Sequence, residues 1–172
     1  MSSIELHAAQ RDEVATIENM MQFYLHDFSE WLPLKLGEQG LFNFEIKPGY
    51  WRNPATRPFL IKVDGELGGF VVVDADTHVP GAEHNIGYFF VSRRFRGLGV
   101  AKFVVSALLS QIPGQWQIFH IDANQPARRF WARLIPAFTE GNFTTQPLTV
   151  DGYPCTLYRL ESSPQQPVGR SL

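Results

Sequence analysis

Apolar residues recur along the chain with two different spacings, and each spacing predicts one type of secondary structure. Over residues 11 to 28 they return every three or four positions, which is typical of the buried face of an amphipathic helix. The same spacing resumes after Gly97 and stops before Pro113, where it predicts a second helix. Pro126 suits a first helical turn, so we expect a third helix from there to about residue 134.

Runs rich in β-branched and aromatic residues between these helices predict strands. Asp64-Gly65 and Asp151-Gly152 each separate two such runs, and each therefore predicts a hairpin. Gly68 and Gly69, inside one predicted strand, indicate a bulge or a close approach of another backbone. The predicted strands cover residues 4–6, 58–63, 67–73, 85–91, 116–121, 143–150 and 153–160.

The order of these elements predicts one mixed α/β domain. It reads β-α-β-β-β-α-β-α-β-β over residues 1 to 161, with a loop and a short helical turn between residues 34 and 54. Residues 162 to 172 contain two prolines and no apolar periodicity, so we expect a flexible tail there. The pattern indicates neither an internal repeat nor a second domain.

Composition and charge narrow the class of protein. The chain has 172 residues, 44% of them hydrophobic, and a net charge of -2, so no overall positive field attracts it to nucleic acid or an anionic membrane. A single cysteine excludes an internal disulfide. The start lacks the pattern of a secretory signal, and no run reaches the roughly 18 apolar residues of a membrane helix. We therefore expect a cytoplasmic protein, and no His, Cys, Asp or Glu spacing predicts a metal site.

A basic, glycine-containing turn lies between the predicted strand at residues 85–91 and the helix after Gly97. Arg93, Arg94 and Arg96 precede Gly97 and Gly99 in this turn. The first amides of a helix have no partner within it, and the helix dipole adds positive potential at that end. Because glycine has no Cβ, the backbone can approach an anion closely. The turn therefore predicts a polyphosphate site.

Two common phosphate motifs do not fit this turn. It lacks the Gly-x-x-x-x-Gly-Lys-Ser/Thr pattern of a P-loop. It begins Gly97-x-Gly99, but Lys102 stands where a dinucleotide fingerprint needs its third glycine, and the preceding strand is the fourth rather than the first.

Two segments carry a resemblance to a known family. Arg94-x-x-Gly97-x-Gly99, after an apolar strand and before a helix, resembles the acetyl-CoA signature of the GCN5-related N-acetyltransferases, the GNAT superfamily. The segment from Asn124 to Trp131 (Asn-Gln-Pro-Ala-Arg-Arg-Phe-Trp) is similar to that family's segment after the next strand. The element order matches over residues 4 to 160, and the finer sequence resembles a bacterial branch of predicted acetyltransferases. The resemblance implies a mixed, mostly antiparallel twisted sheet of about seven strands, with about four helices and splayed fourth and fifth strands.

The resemblance also implies acetyl-CoA as co-substrate and a set of residues that bind it. The CoA pyrophosphate would lie on the turn, and the pantetheine arm would pair with the fourth strand, where a backbone N–H near Phe90 would polarise the thioester carbonyl. The residues expected to bind the cofactor are Phe89, Phe90, Val91, Arg94, Phe95, Arg96, Gly97, Leu98, Gly99, Val100, Ala101, Asn124, Ala127, Phe130 and Trp131.

The family's usual proton-handling residues are replaced in this chain. Where the family often has a glutamate base on its fourth strand, this sequence has Tyr88, and Glu83 and His84 just upstream are the substitutes we consider. Where the family commonly has a tyrosine acid, this sequence has Trp131, whose N–H is not a useful proton source. Tyr88 or Tyr153 would have to reprotonate the thiolate if any side chain does.

The resemblance implies transfer of an acetyl group to a primary amine on a small molecule or peptide. Tyr24, His26 and Asp27, at the end of the first helix, are the expected acceptor-binding residues, because this helix end borders the acceptor site in similar folds. A CoA-binding module with weak or lost catalysis, serving as a sensor or partner domain, stays open as an alternative. The sequence leaves the oligomeric state open, although a homodimer is common in similar proteins.

Overall fold

Seven strands form one sheet, and three α-helices cover its two faces. The structure is a computed structural model and describes residues 1 to 164. The strands are β1 (Ile4–Ala8), β2 (Arg57–Val63), β3 (Glu66–Asp74), β4 (His84–Val91), β5 (Gly114–Ile121), β6 (Phe143–Val150) and β7 (Tyr153–Ser162). The helices are α1 (Val14–Phe28), α2 (Val100–Gln111) and α3 (Gln125–Thr139), and short 3-10 turns cover Arg11–Glu13, Tyr50–Arg52 and Arg93–Phe95.

The sheet is antiparallel except at its centre. Its strand order is β1-β2-β3-β4-β5-β7-β6, and only β4 and β5 run parallel. These two strands pair at His84 with Trp116 and at Asn85 with Gln117, and beyond those residues they separate. The expected splay of the fourth and fifth strands is therefore confirmed, and it opens a gap in the middle of the sheet.

The hairpins and the bulge lie where the sequence predicts them. Asp64 and Gly65 have φ values of 51° and 79°, and Asp151 and Gly152 have 50° and 84°, which suits a two-residue turn with two left-handed positions. The pairing of β2 with β3 shifts by one residue at Gly68, so the predicted bulge is present.

Helix α3 and the last strand extend further than the sequence indicates. The helix continues through Pro136 to Thr139 because Ile135 is buried and Phe138 packs on the core, and this apolar packing offsets the bond that a mid-helix proline removes. The described residues contain three α-helices where about four are expected. Strand β7 includes Ser162, which is buried, so the ordered fold passes the predicted boundary at residue 161. The rest of the expected tail, from residue 165, lies outside the described residues.

The two faces of the sheet carry separate apolar clusters. On one face α1 packs on β2 and β3, with Ile17 and Met21 against Phe70 and its neighbours. On the other face α2 and α3 cover the larger cluster, in which Trp116 is fully buried. The gap between β4 and β5 connects these faces, so a ligand in the gap can be reached from both sides.

Candidate active site

A cleft follows the gap between β4 and β5. Its volume of about 1300 Å³ exceeds the roughly 300–1,000 Å³ of a site for one small ligand, so two substrates have room to meet in it. The basic turn before α2 and the start of α3 form one wall, and α1, the 3-10 turn at Tyr50–Arg52 and the end of β3 form the other. No helix in the described part of the chain is both long and apolar enough to cross a membrane.

The turn before α2 has the form of an anion cradle. Gly97 and Gly99 have φ values of 76° and 79°, which favour glycine, and a Cβ at either position would meet no atom within 4 Å. Within residues 1–164, the amides of Gly97, Leu98 and Gly99 donate no hydrogen bond to the protein. Helix α2 begins at the next residue, so its unpaired first amides add further donors. The turn therefore offers several unpaired N–H groups beside the cleft, which it borders at Gly97 and Ala101.

The arginines of the turn contact carboxylates of the protein. Arg93 lies 3.1 Å from Asp27 of α1, and Arg96 forms a second ion pair with the same carboxylate. Arg94 points elsewhere and makes a two-bond pair with Glu66 at 2.8 and 3.2 Å. Arg93 and Arg96 line the cleft, whereas Arg94 does not. The phosphate-binding role predicted for Arg94 therefore fits Arg93 better.

The other side chains predicted to bind the cofactor at this turn differ in their exposure. Phe95 and Val100 are buried in the core cluster, so only their backbone groups belong to the cradle. Leu98 is exposed, and Ala101 lines the cleft.

The backbone of β4 turns alternate residues toward the gap. Ser92 N donates to a carbonyl of β3 at 2.8 Å, and Phe90, two residues earlier, therefore also directs its N–H to β3. Arg96 Nε donates to Val91 O at 2.7 Å, which shows that Val91 faces away from β3. The N–H groups of Phe89 and Val91 thus point into the gap. The sequence predicts that a backbone N–H near Phe90 polarises the thioester carbonyl. In the structure the N–H of Phe90 itself points to β3, and the N–H groups that point into the gap are those of Phe89 and Val91.

The start of α3 forms the far wall of the cleft. Asn124 Oδ1 accepts a hydrogen bond from Ala127 N at 3.0 Å and caps the helix, and its side chain borders the cleft. Phe130 lies against Trp131 with ring centroids 4.8 Å apart, and Trp131 packs near Phe89 across the gap. Trp131 is only 6% exposed, so it belongs to the core as well as to the cleft wall.

Four aromatic side chains form the opposite wall. The ring of Tyr88 meets those of Tyr24, Phe44 and Tyr50 edge-on, at centroid distances of 5.7, 5.9 and 5.9 Å. Burial and the nearby charge of Asp74 raise the pKa of Tyr88 to about 12. Burial also raises the pKa values of Tyr24 and Tyr50. All three tyrosines therefore stay protonated near neutral pH and present hydroxyl groups in an apolar setting.

A buried carboxylate lies beside this aromatic wall. Asp74, the last residue of β3, is 3% exposed and borders the cleft. Its Oδ2 accepts a hydrogen bond from Tyr50 Oη at 2.5 Å, and its Oδ1 accepts bonds from Asn85 Nδ2 and Asp76 N. Asp74 directly follows the strand predicted at residues 67–73, and no role was predicted for it. The signal that could have found it was a lone acidic residue directly after three consecutive valines.

Three residues predicted for catalysis or acceptor binding do not border the cleft. Glu83 accepts a hydrogen bond from Gln115 N at 2.8 Å, and His84 Nε2 lies 3.1 Å from Pro113 O, at the end where β4 and β5 are still paired. Neither borders the cleft, so the structure does not support them as substitutes for the missing base. His26 is exposed on the outer side of α1, where its ring lies near Phe42 at 6.3 Å, whereas Tyr24 and Asp27 border the cleft.

The comparisons with known proteins agree with this architecture. The model of the GNAT family of acetyltransferases matches residues 17–134. No curated protein matches the sequence. Spermidine N-acetyltransferase from Vibrio cholerae, solved with CoA and spermine, is 13% identical and covers 92% of this chain and 95% of its own, with a TM-score of 0.62.

Two further solved structures have a similar fold. The Salmonella typhimurium acetyl transferase that modifies the N-terminal serine of ribosomal protein L7/L12 is 17% identical, with 94% and 96% coverage and a TM-score of 0.60. Arabidopsis thaliana Naa50, solved with a CoA–peptide bisubstrate analogue, is 11% identical, with 92% and 99% coverage and a TM-score of 0.58. These likenesses establish the fold, and the family model covers most of the chain. The protein belongs to the GNAT family of acetyltransferases.

Proposed function

We propose that this acetyltransferase moves the acetyl group of acetyl-CoA directly to a primary amine. The observation that carries the proposal is the gap between β4 and β5, which has an anion cradle on one side and an aromatic wall with carboxylates on the other. A group held in the gap lies between a phosphate-binding end and an amine-binding end. Direct transfer requires this arrangement, because both substrates must be bound together.

The cradle supports CoA as the co-substrate. Its free amides at residues 97–99, together with the first turn of α2, suit the pyrophosphate of CoA. Arg93 and Arg96 would add charge-assisted hydrogen bonds by exchanging Asp27 for phosphate. The pantetheine arm would pair with β4 and lie against Asn124 and Phe130.

The gap-facing amides of β4 support activation of the thioester. The N–H groups of Phe89 and Val91 point to where a thioester carbonyl would lie, and one such donor contributes about 3 kcal/mol to the transition state. The carbonyl of Val91, now bonded to Arg96, would become free for the pantetheine arm when Arg96 moves to phosphate.

The opposite wall supports a cationic acceptor. Tyr24 and Tyr88 border the cleft, and the faces of aromatic rings attract ammonium ions. Asp27 and Asp74 border the same space and supply negative charge. The Vibrio cholerae and Salmonella typhimurium proteins act on amines by their descriptions, which agrees with this choice of acceptor class.

A panel assay tests the proposal. The purified protein is incubated with acetyl-CoA and single acceptors: alkylamines, diamines, spermidine and short peptides with a free N-terminus. Release of free thiol is followed, and acetylated product is identified by mass spectrometry. We expect equal amounts of free CoA thiol and N-acetylated product with at least one acceptor. Tight CoA binding without thiol release for every acceptor would contradict the proposal.

That second result would favour a CoA-binding module without catalysis. The specific observation on its side is the replacement of the usual proton-handling residues, since Tyr88 stands for the glutamate and Trp131 is largely buried. Thermal stabilisation by CoA is expected for both functions, and turnover only for the enzyme. A cytoplasmic location and a homodimer stay predictions from the sequence.

A further inference from the structure

A protonated amine cannot attack a thioester, so an acetyl transfer of this kind needs a proton acceptor. An amine of pKa near 10.4 is protonated at pH 7, and its deprotonation costs roughly 4–5 kcal/mol. Glu83 and His84 lie outside the cleft, and the raised pKa of Tyr88 keeps its hydroxyl neutral. Other titratable groups that border the cleft are candidates for the proton acceptor.

The Tyr50–Asp74 pair has the geometry for this role. Both residues border the cleft, and their oxygens lie 2.5 Å apart. Asp74 Oδ2 receives only the Tyr50 hydroxyl within the described chain, so part of its accepting capacity stays free. The Oη of Tyr50 accepts no hydrogen bond from those residues either. The Tyr50 hydroxyl can therefore accept a proton from a ligand in the cleft while it donates its own proton to Asp74 Oδ2.

The sheet makes room for this pair at one position. The pairing of β3 with β4 shifts between Val72 and Val73, which leaves Gly87 as the extra residue of a bulge. A Cβ at Gly87 would lie 2.7 Å from Tyr50 Oη and nearer still to Asp74 Oδ2. Only glycine at this position lets both oxygens sit against β4. The pair therefore lies against Gly87, the residue that precedes Tyr88 in β4.

Two amide side chains hold Asp74 in one orientation. Asn85 Nδ2 donates to Asp74 Oδ1 at 2.9 Å, and Gln117 Nε2 donates to Asn85 Oδ1 at 3.0 Å. This chain of hydrogen bonds links β3, β4 and β5 where the gap begins. It leaves Oδ2, rather than Oδ1, to the side of Tyr50.

We propose that Tyr50 and Asp74 accept the proton of the acceptor ammonium, an inference that rests on the proposed function. The ammonium gives one proton to Tyr50 Oη as Tyr50 passes its own to Asp74 Oδ2, which leaves a neutral amine. The amine nitrogen then bonds to the thioester carbon, the C–S bond breaks, and its electron pair leaves on sulfur. The second N–H proton passes to sulfur and gives the free thiol, and Asp74 returns its proton to water as the products leave. Trp131 is therefore not needed as an acid.

The test compares kcat at saturating substrates for three variants, with the fastest amine of the panel. We expect Asp74→Asn and Tyr50→Phe each to lower kcat about 10²- to 10⁴-fold at pH 7, with the CoA-induced thermal shift unchanged. Asp12→Asn is the control: it removes the same charge from an exposed side chain outside the cleft. It should keep kcat within about twofold of the wild type because exposed charges are screened.

The pH dependence separates proton transfer from a structural role. Between pH 7 and pH 9 the neutral fraction of the amine rises about tenfold per pH unit. The factor by which kcat of Asp74→Asn or Tyr50→Phe lies below that of the wild type should therefore shrink by at least about tenfold over this range. The other groups that face the pair are few: the titratable or charged ones are Tyr88, Asp76 and Lys47, and the polar neutral ones are Asn85 and Gln117.

Each outcome has a distinct meaning. A deficit that stays constant with pH, or variants as active as the wild type, would overturn the inference and leave the acetyltransferase function intact. A wild type that acetylates no amine would overturn both. Should Asp74→Asn lose the thermal shift with CoA, Tyr50→Phe decides between these outcomes, because it keeps the ring and removes one hydroxyl.

Discussion

Asp27, in the last turn of α1, forms an ion pair with Arg96, which lies 69 residues later in the turn before α2. The same carboxylate also lies 3.1 Å from Arg93. Asp27 therefore joins α1, on the aromatic side of the cleft, to the basic turn on the other side. Its single negative charge is shared by two of the three arginines of the basic turn.

Replacing Asp27 with asparagine should strengthen CoA binding. The substitution frees Arg93 and Arg96 for phosphate, and because an exposed pair is worth less than about 1 kcal/mol, we expect Kd to fall about two- to fivefold. Isothermal titration with CoA measures this change. Glu161→Gln, which removes an exposed charge on β7, is the control and should leave Kd unchanged. A weaker affinity in Asp27→Asn would mean that the carboxylate orders the arginines for the ligand instead.

Gly99→Ala should separate cradle function from backbone strain. The left-handed φ of 79° costs an alanine about 1–2 kcal/mol, and its methyl group would also stand where the anion approaches. We expect CoA affinity to fall at least about tenfold. Gly65→Ala is the matched control, with the same φ of 79° and the same open space, in the hairpin between β2 and β3.

The two glycine variants should lose similar free energy of unfolding in denaturant titrations, whereas only Gly99→Ala should lose affinity. Equal losses of affinity in both would argue that the cradle does not bind CoA.

The tyrosine wall should make stability fall at alkaline pH. An unfolded tyrosine titrates near pH 10, whereas the folded pKa of Tyr88 is raised to about 12. Between these values the folded state binds more protons than the unfolded state, so the free energy of unfolding decreases as pH rises. In Tyr88→Phe this decrease should be smaller. Chemical unfolding of both proteins at pH 8, 9, 10 and 11 measures it, and parallel curves would contradict the assignment.

Ser162 should contribute to stability although the sequence places it outside the domain. Its Oγ donates to Ile112 O at 2.9 Å and accepts from Trp116 Nε1 at 3.0 Å, and the residue is 3% exposed. Ser162→Ala leaves the Trp116 N–H with Ile112 O alone, so we expect a loss of about 1 kcal/mol. Thermal unfolding measures it, and Ser163→Ala, at an exposed neighbour, should cause no loss.

Local patterns are enough to predict the elements that depend on local physics. Asp-Gly turns close both hairpins because their left-handed positions are set by the two turn residues themselves. The conformation of the basic turn also depends on residues that are close in sequence, since Gly97, Gly99 and the helix start lie within a dozen residues of one another. Helix α3 shows the limit: Pro136 predicts an end, and the buried Ile135 beside it keeps the helix intact.

The sequence by itself determined the family, the order of the elements and the basic, glycine-containing turn that forms one wall of the cleft, because these follow from short-range spacing. Only the tertiary structure decided which acidic side chain lies buried at the border of the cleft. Glu83 is near Tyr88 in sequence but lies where β4 and β5 are still paired, whereas Asp74 arrives from the neighbouring strand. The bulge at Gly87 and the contact with Tyr50, 24 residues away, hold Asp74 in the cleft. Both depend on strand register, which local composition does not specify.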